Sequence, residues 1–248
     1  MLAVKKGGQR TVSASGGEPR LVFDSPSFDR SYSVDRSGHL AAFVRESNTT
    51  SSDVAFADLS TGEIRTLVEV NPELQNLQIG RAQRIDVTDK HGEPFWGHFV
   101  LALGYKPGKG YPLVITTYAD YDGFLRGGVG DEYPIHVFTA NGFAVLSFNA
   151  LSRIRSPKPG DFNSTLLLWQ APMEPMAAMV AKLSDMGIVD KSRVGITGLS
   201  YGAILVNYGI SHTSLFRAAI DSGTGCPTSL RAQNAHEVYG SCAPRGQQ

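Results

Sequence analysis

Arg193-Val194-Gly195-Ile196-Thr197-Gly198-Leu199-Ser200-Tyr201-Gly202-Ala203-Ile204-Leu205-Val206 is the stretch on which the fold of this chain turns. Its first five residues read as a strand, and its last four open an apolar helical run. Between them lies Gly198-Leu199-Ser200-Tyr201-Gly202, a G-x-S-x-G serine in a strand–turn–helix setting. Such a serine sits on a sharp, strained turn, and the flanking glycines keep side chains away from the neighbouring backbone. Its Oγ is thereby exposed at the C-terminal edge of a sheet. The amide of Tyr201, at the helix start, points where an oxyanion would form. Ser200 is the candidate nucleophile and Tyr201 a candidate oxyanion donor.

Outward from this turn, strand and helix alternate. Tyr111 to Tyr118 is a near-continuous apolar run, as expected of a strand buried on both faces. Phe143 to Phe148 is the next, and Phe216 to Ile220 follows the nucleophile helix. A helix is expected from an N-cap at Asp131 through Asn141, with Gly142 beyond its end. Another spans Pro175 to Met186, with Met176, Met179, Val180, Leu183 and Met186 on one face, a stripe expected to be core. This alternation predicts a doubly wound, mostly parallel α/β sheet. Arg84–Thr88 and Phe95–Leu103 read as a hairpin in front of it. The chain before Asn71 has a different character. Leu40–Val44, Asp53–Leu59 and Glu63–Val70 are short strand candidates separated by turn signals. They predict a small antiparallel unit like one blade of a β-propeller.

Composition bounds the function. With 42% hydrophobic and 19% charged residues, the chain is an ordinary globular sequence, neither disordered nor fibrous. Its 23 basic and 23 acidic residues balance without a basic run. Neither a nucleic acid nor a membrane is therefore an expected partner. Cys226 and Cys242 are too few for a disulfide framework or a structural zinc site. No apolar stretch is long enough for a membrane helix, and no signal peptide follows Lys5-Lys6. A soluble chain is expected; its compartment is left open, cytoplasm or periplasm in a bacterium.

No cofactor is expected. Gly104-Tyr105-Lys106-Pro107-Gly108-Lys109-Gly110 mimics a phosphate loop but precedes a strand and lacks a Ser/Thr after its lysine. Gly127-Gly128-Val129-Gly130 lacks dinucleotide-binding spacing. Asp131 and Glu132 are explained by helix capping and the helix dipole.

From Asp35 to about Gly223 the sequence resembles the prolyl oligopeptidase family of serine peptidases. Asp35-Arg36-Ser37-Gly38-His39-Leu40-Ala41-Ala42-Phe43-Val44-Arg45 is similar to its last propeller blade, and Asn71-Pro72-Glu73-Leu74 to its crossing into the hydrolase domain. Gly187-Ile188-Val189-Asp190-Lys191-Ser192-Arg193-Val194-Gly195-Ile196 resembles the run before its serine. The resemblance implies a partial α/β-hydrolase domain over residues 76–230 and a remnant blade over 1–75, while residues 231–248 show no periodicity, resemble nothing in the family and are expected to be an irregular tail. It also implies that Tyr118 donates its phenol to the oxyanion, which as a neutral donor it is suited to do. Tyr121 to Pro134, with Thr197 to Ala203, looks like the lasso peptide isopeptidase branch, whose substrates are peptides closed by an isopeptide bond.

In α/β-hydrolases the triad acid and histidine follow the serine. The chain from Tyr201 to Gln248 has room for one helix, one strand and little more. His212 falls at the far end of the nucleophile helix, and His236 lies in the tail. The expectation is therefore a chain truncated at both ends, lacking the triad Asp and His. Two readings stand side by side: a serine peptidase acting through an acyl-enzyme on Ser200, and a catalytically incompetent fragment or peptide-binding module.

Overall fold

The computed structural model describes residues 2–5, 8–11, 20–23, 27–118, 123–124, 134–150 and 168–222. They fall into two compact units, one of Met1–Ile79 with Tyr121–Phe124, the other of Gly80–Asp120 with Leu125–Gln248.

The first unit is antiparallel. β1 (Leu2–Lys5), β2 (Gly8–Thr11) and β3 (Arg20–Phe23) form one sheet. β4 (Phe28–Val34), β5 (Leu40–Ser47), β6 (Thr50–Asp58) and β7 (Ile64–Val68) form a second, paired in sequence order as a meander. The period of two explains its core. Ala41 pairs with Ala57 and Phe43 with Ala55, and all four are buried on one face. Phe23 of β3 stacks on Phe43 with ring centroids 5.7 Å apart. Across β4 and β5, Arg45 donates two hydrogen bonds to the buried Asp29, at 2.9 and 3.0 Å. This two-point pairing satisfies a carboxylate that has left water. The four-stranded meander follows the sequence expectation. The β1–β2 hairpin does not, because residues 2–11 show no alternation of apolar and polar positions that would have announced it.

The second unit holds β8 (Ala82–Thr88), β9 (Pro94–Val100), β10 (Tyr111–Tyr118), α1 (Ile135–Ala140), β11 (Ala144–Asn149), α2 (Met173–Asp185), β12 (Val189–Leu199), α3 (Tyr201–His212) and β13 (Ala218–Ser222). Its six-stranded sheet runs β13-β12-β10-β11-β9-β8. β13, β12, β10 and β11 are parallel, and the β8–β9 hairpin adds antiparallel to β11. This is a mixed α/β fold with a mostly parallel sheet. Every residue of β11 is buried. Leu113 and Ile115 of β10 line up with Ala144 and Leu146 on one side and Val194 and Ile196 on the other. Met176, Met179, Val180 and Leu183 of α2 join the same core, so these members of the stripe are packing, whereas Met186 caps the helix end and is exposed, because the chain turns away there.

Element boundaries shift modestly. α1 begins at Ile135 behind Pro134, and the expected N-cap, Asp131, lies outside the described residues. α2 starts at Met173, slightly earlier than Pro175. β12 starts at Val189 rather than Arg193 and bulges against β10 between Val189 and Val194, where Asp190 organises the polar residues. Its carboxylate accepts from Ser192 N, Ser192 Oγ and Arg193 Nε.

Candidate active site

β12 delivers Ser200 to the C-terminal edge of the sheet between two parallel neighbours. On one side Thr197 pairs with Thr116 of β10, and on the other Gly198 and Leu199 pair with Asp221 and Ser222 of β13. At Ser200 the chain turns with φ 53° and ψ −116° and enters α3 directly. That setting is costly for a residue with a side chain, and it persists only where the surroundings hold it. Here they do. Ser200 N donates to Ser222 O at 3.1 Å, and Ser200 O accepts from Ile204 N at 3.2 Å, the first bond of α3.

Both flanking glycines are required by contact. A Cβ on Gly198 would stand 2.3 Å from the Gly202 backbone, and one on Gly202 would stand 1.9 Å from Thr117 O. The notional Cβ of Gly202 would lie 3.7 Å from Tyr118 Cβ. So the last residue of β10 has its side-chain root against the first turn of α3, next to the serine. Tyr118 is half-buried and ends its strand opposite Asn149.

Tyr201 is held by its side chain. Its amide leaves the turn at the helix start, where α3 has no intrahelical acceptor for it. Its phenol donates to Leu168 O at 2.7 Å, and its ring packs against the core. Sequence reasoning assigned Tyr201 through its amide alone. The phenol's partner is 33 residues away, and no local pattern signals it.

The histidines of this unit occupy other places. His98 of β9 pairs with Ser147 of β11, and two strands, β11 and β10, separate β9 from β12. His136 lies on α1, and burial pushes its imidazole below the usual range. His212 closes α3, at the opposite end from Ser200, and stacks on Tyr208 with ring centroids 4.0 Å apart. With His91 and Glu174 it lines a cavity of about 450 Å³ at the end of α3 away from the serine. His236 lies outside the described residues.

Residues 135–237 match the prolyl oligopeptidase family, and this stretch includes the whole serine turn. Through this stretch the chain is similar to the prolyl oligopeptidase family. It is 33% identical over 200 residues to the lasso peptide isopeptidase AtxE2 of Asticcacaulis excentricus, an alignment covering 76% of this chain and 28% of that protein. It is 27% identical over 161 residues to dipeptidyl peptidase 4 of Sus scrofa, covering 60% of this chain and 20% of that one. The chain thus spans under a third of the length of these curated relatives. Among solved structures, a variant of AtxE2 isopeptidase with Astexin3-dC4 bound superposes with a TM-score of 0.75 at 26% identity, over 88% of this chain and 34% of that one. An acylaminoacyl peptidase of Pyrococcus horikoshii shares the fold, with a TM-score of 0.63 at 17% identity, over 86% of this chain and 33% of that one.

Among the described residues no helix is long and apolar enough to cross a membrane.

Proposed function

We propose that Ser200 is the nucleophile of a serine peptidase that opens peptide or isopeptide bonds, with the macrolactam linkage of a lasso peptide as the substrate class. The observation that carries the reading is the left-handed setting of Ser200 between two glycines that admit no side chain. Backbone strain held by its neighbours clusters at functional sites, and of the two described non-glycine residues with positive φ, Ser31 and Ser200, only Ser200 stands in a G-x-S-x-G turn. Ser200 Oγ attacks the scissile carbonyl and gives up its proton to a general base. The carbonyl oxygen becomes an oxyanion, received by the Tyr201 amide and the Tyr118 phenol. The amine then leaves with a proton, and water releases the acyl group from Ser200. The likeness to a lasso peptide isopeptidase supports the isopeptide over the ordinary peptide bond.

A second reading, a peptide-binding module that does not turn over, is favoured by the placement of the histidines. The described ones of this unit sit on α1, in β9, at the β8–β9 turn and at the far end of α3. Without an imidazole at hydrogen-bond distance, roughly 2.6–3.2 Å, Ser200 keeps the weak nucleophilicity of an alcohol. The readings separate in one experiment. The 248-residue polypeptide and its S200A variant are treated with a fluorophosphonate probe, and separately with a lasso peptide followed by mass spectrometry for the gain of one water. Slow labelling and an unopened ring would favour the second reading, since oxyanion hole and binding alone leave only residual catalysis. Rapid, stoichiometric adduct formation at Ser200 would show that a base is in place and dismiss the second reading. An adduct that survives in S200A would dismiss the first.

A further inference from the structure

We infer that the phenol of Tyr201 is a positioning group for the nucleophile turn: by donating to Leu168 O it holds the Ser200–Tyr201 peptide in the orientation that aims the Tyr201 amide at the oxyanion. This rests on the reading of Ser200 as the nucleophile, and it adds a role for a side chain to a residue assigned through its main chain alone.

One peptide plane links the groups involved. Ser200 C=O and Tyr201 N–H belong to the same rigid unit, so whatever fixes one end aims the other. The carbonyl end is held by Ile204 N at 3.2 Å, the first bond of α3 and among the most easily frayed. Ser200 N is tied to Ser222 O, but it lies on the preceding peptide and leaves ψ of Ser200 free. The Tyr201 side chain supplies the missing hold. A tyrosine ring has two side-chain torsions, so an anchored hydroxyl fixes the Cα it springs from with little slack.

The anchor itself is firm. Leu168 lies in a helical turn at 168–170 that runs into α2. Trp169 packs on the same core as Tyr201, and Met173 is buried. Met173 Sδ would lie 3.3 Å from a Cβ on Gly209. The segment therefore meets α3 a second time, two turns beyond Tyr201. Residues 168–173 form a strap along α3, tied at Tyr201 and seated at Gly209. A phenylalanine at 201 would fill the same space but leave the strap unfastened at its upper end.

Wild type, Y201F and V180A forms of the 248-residue chain test this. Val180 is buried in α2 away from the turn, so V180A lowers the melting temperature without touching the anchor. Amide hydrogen exchange over 199–203 is measured in each, together with the saturation kinetics of fluorophosphonate labelling. In Y201F the turn amides are expected to exchange faster. The limiting labelling rate should fall about fivefold, the ratio one ordinary hydrogen bond represents, with half-saturation unchanged. V180A should do neither. Equal exchange and equal limiting rates in wild type and Y201F, or a V180A that reproduces both effects, would overturn the inference. If wild type gives no Ser200 adduct, it is the functional reading that fails. The exchange comparison then decides the positioning role alone.

Discussion

The carbonyl oxygen of Thr117 stands 1.9 Å from where a Cβ on Gly202 would be, so the end of β10 and the first turn of α3 meet backbone to backbone. That approach brings the root of the Tyr118 side chain beside Ser200, since Tyr118 follows Thr117 in the strand. Neither backbone can retreat. Thr117 is held in register opposite Phe148 of β11, and Gly202 lies inside a helix.

Replacing Gly202 by alanine is accordingly expected to be severe. Overpacking costs about 1–3 kcal/mol, and a clash with fixed backbone stands at or above the upper end. G202A should lower the melting temperature and abolish labelling of Ser200. Wild-type melting in G202A would mean that β10 and α3 are not in contact there.

Ser200 itself should give up stability for its placement. Its left-handed φ costs a non-glycine residue about 1–3 kcal/mol, whereas the extra freedom of glycine in the unfolded chain costs about 0.4–1 kcal/mol. S200G is therefore expected to melt higher than wild type, and higher than S200A, which keeps a Cβ in the strained position. Calorimetry of the three proteins checks the order.

Thr117 is fully buried, and its Oγ1 has no hydrogen-bond partner among the described residues. Valine keeps the shape and removes the unsatisfied hydroxyl. T117V should gain about 1 kcal/mol in chemical denaturation. A loss instead would reveal a partner for Oγ1.

Asp190 is one of several carboxylates, with Asp35, Asp58 and Asp86, that contribute to the acid limb of stability. Hydrogen bonds from Ser192 and then Arg193 hold its carboxyl down at about 2 against an ordinary 3.8. A depressed carboxylate contributes stability above its unfolded value and loses it as pH falls through the folded one. The contribution should fade between about pH 4 and pH 2. D190N should be less stable at neutral pH and show a shallower loss across that window, read as melting temperature against pH. Parallel curves for the two proteins would rule this out.

What could be read from sequence alone was the part encoded locally. The apolar run at 111–118 and the fully buried 144–149 strand announce a parallel sheet, and the two glycines around Ser200 announce the turn. The start of β12 at Val189 was hidden because Asp190 to Arg193 are polar, and their pairing with one another replaces any apolar signal. The bond from Tyr201 to Leu168 was hidden because a phenol's acceptor, 33 residues distant, leaves no period to detect. The site of Tyr118 came from family resemblance, since only the sheet order brings the end of β10 to the start of α3.

The sheet order also dictates a schedule. β10 pairs with β11, the strand that follows it in the chain, but its other edge waits for β12, which begins at Val189. With about 70 residues to be made in between, at about 5–20 residues per second, that edge stays open for roughly 4–14 s. The Ser200 turn waits longer still, because Ser222 O arrives only with β13. The strained serine is thus locked late in synthesis, and the nascent chain must keep a long apolar edge from pairing with its neighbours until then.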